Sequence, residues 1–223
     1  MFLMPTPAPY LQPSTITLVG SSESFDSNTV AFPETAEAGD VIIVMYGNRK
    51  SNPPIPTDFT LIADIGSTNG ISTDTGTSVS YLIAEGGETQ AAGTGTSLGP
   101  CLICAQYRFN APVKTVTIAS SSEYSGSGNP SNDTTLTASG NTKPNVALLS
   151  VYSASTLTVD TTHVNFNGAT GGTVERDVVN TGDGDRTTLG YFLEADTGAG
   201  SDVVVSVGDT GVTATINALL EFS

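Results

Sequence analysis

The sequence predicts an all-β protein: an antiparallel β-sandwich, jelly-roll-like, built from two similar halves. Three observations carry this expectation. Gly, Ser, Thr and Asn are abundant, Lys+Arg total 7 and Trp is absent, a composition of strands joined by many turns rather than of helices. No stretch shows a capped, 3.6-residue apolar period. One phrase is written twice: AGDVIIVMY at 38–46 returns as KPNVALLSVY at 143–152. Each is a small polar turn leading into an almost continuous apolar run that ends near a tyrosine.

The elements follow in order. Residues 1–14, MFLMPTPAPYLQPS, carry Pro5, Pro7, Pro9 and Pro13, which prevent a helix and favour an extended, polyproline-like arm. Phe2, Leu3, Met4, Tyr10 and Leu11 give that arm apolar side chains. It is read either as a leader without fixed structure or as a strap that places those side chains on another chain. Residues 15–19 alternate as a strand that SSESFDSN is expected to break. Residues 41–46 are continuously apolar, the mark of a strand buried on both faces. GNRKSNPPIPTD is a loop, because Pro53, Pro54 and Pro56 cannot serve a central strand. Strands follow at 59–65, 78–84 and 101–109.

The pattern then repeats. TITLVGSSES (15–24) aligns with TVTIASSSEY (115–124), 41–44 with 146–149, SVSYLIAE (78–85) with TTLGYFLEA (187–195), and CLICAQYRF (101–109) with TINALLEF (215–222). The offset grows from about 100 to 113, as lengthening loops would make it. A single domain at 15–223 is therefore expected to contain halves 15–110 and 111–223. Each half has an apolar face that needs a partner, and the two faces supply one another. The expected core is Val41, Ile43, Leu61, Tyr81, Ile103, Ala105, Leu148, Phe192 and Leu219.

A formal charge of −15 argues against nucleic acid, whose phosphates are neutralised by Lys and Arg, and against an anionic membrane surface. No apolar run approaches the ~20 residues needed to span a bilayer. MFLM followed by Pro5 is too short for a secretory apolar region. Synthesis in a cytosol is expected.

Chemistry-bearing residues are sparse. Cys101 and Cys104 form a lone CxxC without the second pair a zinc site needs; on a strand their odd separation points them to opposite faces, so both are expected reduced and structural. His163, the single histidine, lies beside a turn with no nucleophile pattern near it. Glu85, Glu88, Glu175, Asp177 and Glu194 are candidates for glycoside hydrolysis by residue type alone. Asp183 and Asp185 in NTGDGDR could hold Ca²⁺ weakly, although the EF-hand spacing is not met; a hairpin tip is the plainer reading. GATGGT (168–173) lacks the P-loop Lys and helix. Asn132 heads a glycosylation sequon that matters only in a secreted eukaryotic protein. Tyr46, Tyr107, Tyr124, Tyr152 and Tyr191 could stack sugars, but several sit on strands and read as core. No catalytic set and no cofactor is expected.

The order AGD plus apolar strand, P-x-x-F-T-L-I (Pro56, Phe59, Thr60, Leu61, Ile62), S-x-x-Y-L-I-A followed by GGET, then A-x-Y-R (Ala105, Tyr107, Arg108), with a shorter echo at 145–149, resembles a β-sandwich module of bacteriophage virion proteins, including tail-fibre and head-surface components. The resemblance covers 15–223 and its motifs are structural. It implies a non-enzymatic virion protein, assembled in the host bacterial cytoplasm and displayed on the particle surface. Without a heptad shaft, a capsid decoration or cement protein fits better than a tail fibre. Its partners would be the major capsid protein or other virion proteins, and sister copies in a homotrimer. The rival class is a receptor- or carbohydrate-binding module that uses loops 47–58 and 168–186.

Overall fold

The computed structural model describes residues 15–25, 27–48, 54–66, 76–93, 100–127, 134–136, 145–153, 165–166, 169–170, 176–180, 186–195, 203–205 and 212–223. Every regular element among them is a β-strand. The first half contributes β1 (Ile16–Phe25), β2 (Thr29–Ala31), β3 (Val41–Asn48), β4 (Thr60–Gly66), β5 (Gly76–Ile83), β6 (Gln90–Ala92) and β7 (Cys101–Phe109). The second contributes β8 (Val116–Ser127), β9 (Thr134–Leu136), β10 (Asn145–Ser153), β11 (Asn165–Phe166), β12 (Ala169–Thr170), β13 (Arg176–Asn180), β14 (Arg186–Ala195), β15 (Val203–Val205) and β16 (Val212–Phe222). Among the described residues no helix is long and apolar enough to cross a membrane.

The repeated phrase has a topological explanation. One five-stranded sheet has the order β1-β7-β3-β5-β4, and the other, read from its β8 edge, runs β8-β16-β10-β14-β13. Strand for strand the two orders correspond, and all pairings are antiparallel. AGDVIIVMY and KPNVALLSVY lead into the middle strand of each sheet, β3 and β10. The register agrees in detail. Ile43 sits between Tyr81 and Ala105, and Leu148 between Phe192 and Ala218. The bulge that leaves Val19 unpaired in β1 recurs at Ala119 in β8, one hundred residues on.

The inner faces of the two sheets meet in one core. Val41, Ile43, Met45, Ile103 and Tyr107 pack with Val146, Leu148, Ile216, Leu220 and Phe222. The Phe109 and Phe222 rings lie 5.0 Å apart at 50°, an arrangement aromatic quadrupoles favour. The outer face of the first sheet is covered as well. Ile42, Val44, Tyr46, Leu102 and Cys104 pack under Val30, Phe32 and Ala91, which belong to the two-stranded β2–β6 layer and its flanks. All eight residues of β3 are therefore buried, as its unbroken apolar run predicts. Strands β12-β11-β15-β9 form a further small sheet.

Six expected core residues, Val41, Ile43, Ile103, Ala105, Leu148 and Leu219, are buried, and Tyr81 is half-buried against the core. The side chain of Phe192 lies outside the described residues. Leu61 is a correction: it is 37% exposed. It lies opposite Ser80 on edge strand β4, and a bulge at Ile62 gives the inward position to that residue instead. The break expected at SSESFDSN (21–28) also fails over 21–25. Strand β1 continues through SSESF to Phe25 because central strand β7 supplies partners as far as Cys101, whatever the β-propensity of serine.

Candidate functional site

The motif residues of the first half converge at one end of the first sheet. Register places Asp40 beside Val41, which pairs with Tyr107, so Asp40 stands across from Arg108. Asp40 is 2% exposed. Arg108 Nε donates to its Oδ1 at 3.0 Å and Arg108 Nη2 to its Oδ2 at 2.9 Å, a bidentate pair. Gln106 Nε2 (2.8 Å) and the Glu37 backbone N–H (3.0 Å) donate to the same Oδ2. Burial works against the charge on Asp40, but these hydrogen bonds outweigh it and hold the carboxyl below its ordinary value. Arg108 is correspondingly raised, chiefly by its bond to Asp40. Its Nη1 reaches Glu37 at 3.1 Å and Glu34 at 3.8 Å.

The AGD and GGET segments build the scaffold around this pair. Gly39 has φ 91°, which suits the third position of the tight turn closed by the Asp40 N–H donating to the Glu37 carbonyl. Gly39 donates to the Ala84 carbonyl and Ala84 to that of Asp40. Gly86 and Gly87 also take left-handed φ values. The Glu88 carboxylate accepts from the N–H groups of Glu85 (2.8 Å) and Gly86 (2.9 Å); despite its partial burial, backbone donors lower its pKa. Glu88 thus clamps the turn.

Two hollows flank the cluster. One, of about 500 Å³, lies beside Thr15, Thr17, Leu18, Phe109 and the Glu34–Arg108 pair. The other, of about 420 Å³, is lined by Thr57, Asp58, Phe59, Leu82, Ile83, Glu85, Glu88 and Gln90. Asp58 there holds φ 68°, uncommon for a residue with a Cβ.

Cys101 and Cys104 are free and buried, Cys101 in the sandwich core and Cys104 in the outer cluster, the opposite faces their spacing requires. Burial pushes the Cys104 thiol up to about 12. Tyr46 and Tyr107 are buried and offer no sugar platform; the Tyr46 hydroxyl donates to Asn28 Oδ1. Tyr124, Tyr152, Tyr191, Asp177 and Glu194 lie on strands β8, β10, β14, β13 and β14, where only the backbone is described. Glu175, His163, Asn132, Asp183, Asp185, the 168–173 segment apart from β12, and the arm residues Phe2, Leu3, Met4, Tyr10 and Leu11 lie outside the described residues. Among the described residues no group of three or more His, Cys, Asp and Glu could hold a metal ion.

Sequence reasoning found both motifs but not their union. The signal was present: Asp40 and Arg108 each sit one residue beyond the apolar part of strands that pair antiparallel. The corresponding residues of the second sheet, Asn145 and Glu221, are also register partners but differ in charge. Comparison with family models, curated proteins and solved structures finds no match.

Proposed function

We propose that this chain is a non-enzymatic β-sandwich of a bacteriophage virion, in the role of a capsid decoration or cement protein. The observation that carries this reading is the Asp40–Arg108 union. The AGD, GGET and A-x-Y-R residues on which the resemblance rests are engaged with one another as ties of the fold, which suits a module whose motifs are structural. A formal charge of −15 suits a protein displayed densely to solvent. Partners would be the major capsid protein or other virion proteins, with sister copies forming a trimer whose apolar contact keeps its carboxylates at the rim. The 1–14 arm would supply part of that attachment through its apolar side chains.

The second reading is a receptor- or glycan-binding module of the tail. The hollow beside Phe59 favours it, because that hollow is walled by turn residues on a rigid scaffold. Quantitative mass spectrometry of purified particles separates the two: hundreds of copies on heads is the expected result, whereas a few copies on tails would overturn the decoration role. Deleting residues 2–13 should leave the melting temperature nearly unchanged and weaken loading onto particles; unchanged loading would remove the arm from the proposal.

A further inference from the structure

We propose that the Asp40 cluster is an acid-released latch, which holds the β2–β6 cover on the first sheet and lets that cover open while the sandwich beneath stays folded. The cover is largely self-contained. Segments 32–40 and 84–92 bond to each other: Phe32 N–H donates to the Thr89 carbonyl, Ala36 N–H to that of Glu88, and Gly87 N–H to that of Ala36. At the β2 end, Ser22 Oγ of β1 donates to the Ala31 carbonyl and the Tyr46 hydroxyl of β3 to Asn28 Oδ1; at the Asp40 end the polar tie to the sheet runs through two side chains of β7. Arg108 and Gln106 both donate to Asp40, and Gln106 Oε1 accepts from the Glu34 N–H at 3.2 Å.

Charge around the latch is one-sided. Arg108 faces Asp40 from β7, with Glu34 and Glu37 on the same loop as Asp40. The neighbouring turn brings Glu85 and Glu88. The 110–115 linker, which passes Gly39 at Pro112, carries Lys114. Adding a proton to Asp40 places an O–H among four donors. One hydrogen bond is then replaced by a donor–donor contact, and Arg108 loses its buried counter-ion. The folded carboxyl lies below the ordinary aspartate value of 3.8, so the latch is whole above that pH and fails as pH falls through the lower folded value.

The core between the two sheets is apolar; the other buried carboxylate among the described residues, Glu221 of β16, lies between core residues Leu220 and Phe222 and so faces away from that core. Acid also lowers the protein's overall charge before raising it. With 7 Lys+Arg and 1 His, side chains can reach at most 7 + 1 = +8, against −15 at neutrality, so self-repulsion in acid stays modest.

Hydrogen exchange of the full-length chain, followed as protection factors from pH 7 downward through the carboxylate range, tests this together with the isosteric variant Asp40→Asn at pH 7. The expected result is at least a tenfold loss of protection in 32–40 and 84–92 in both acid and the variant, with β3, β10 and β16 unchanged. The latch is overturned if cover and sheets lose protection together at one pH midpoint, or if the variant keeps wild-type protection at pH 7. Failure of the variant to fold would also count against it, because the cluster would then support the whole sandwich rather than its cover.

Discussion

The hydroxyl oxygens of Thr77 and Ser150 lie 2.7 Å apart in the buried interior and tie β5 of the first sheet to β10 of the second. Both residues are fully buried. Apolar surfaces slide and rotate on one another at little cost, whereas a buried hydrogen bond is satisfied in one alignment. Thr77→Val and Ser150→Ala should each destabilise by about 1–3 kcal/mol, since each leaves the other hydroxyl unpaired. The double variant should lose less than the sum of the two. Urea denaturation of all four proteins checks this, and strict additivity would show that the contact carries no coupling.

Ile43 and Leu148 occupy corresponding places in the two middle strands and face the same core. Either residue changed to Ala should cost about 2–5 kcal/mol through lost burial and a residual cavity. Leu61→Ala, at an exposed edge position, should cost well under half of that. Thermal melts of the three variants give the ranking, and losses below about 1 kcal/mol at both Ile43 and Leu148 would place these strands at the periphery.

Gly39 and Gly87 share a left-handed φ but not their surroundings. A Cβ at Gly39 would lie 2.8 Å from Pro112 Cα, whereas one at Gly87 would meet nothing within 4 Å. Gly87→Ala should therefore cost only the backbone strain, about 1 kcal/mol, and Gly39→Ala clearly more. Equal losses in chemical denaturation would mean that the Pro112 segment yields freely.

The Cys104 thiol gives the alkaline limb of stability a defined sign. Its folded pKa of about 12 lies above the ordinary 9.0, so above pH 9 the unfolded chain sheds a proton that the folded chain keeps. Stability should fall as pH rises through 9 to 12, with a slope approaching about 1.4 kcal/mol per pH unit from this group. Cys104→Ala should flatten that slope between pH 9 and 11, whatever its own effect at pH 7. An unchanged slope would assign the alkaline loss to other groups.

Much of the fold was legible because its signals are local or repeated. An unbroken apolar run announces a strand with both faces covered, and writing it twice announces two middle strands. The misreadings share one cause. At Leu61 the bulge at Ile62 decided which residue points inward, and at SSESF a strongly paired neighbour carried the strand past weak local propensity. Both depend on a partner strand far away in sequence.

By itself, the sequence determined the all-β class, the two similar halves, the burial of β3 and of Val146 and Leu148 in β10, and the opposed directions of Cys101 and Cys104. These follow from strand periodicity and composition, properties a short segment carries with it. Tertiary structure alone decided that AGD and A-x-Y-R close on one another through Asp40 and Arg108, that GGET bonds to the same loop at Ala36, that Glu88 clamps a turn, and that Thr77 meets Ser150. Each of these depends on the register between distant segments, and register is set by how whole sheets satisfy their backbone hydrogen bonds and bury their faces together.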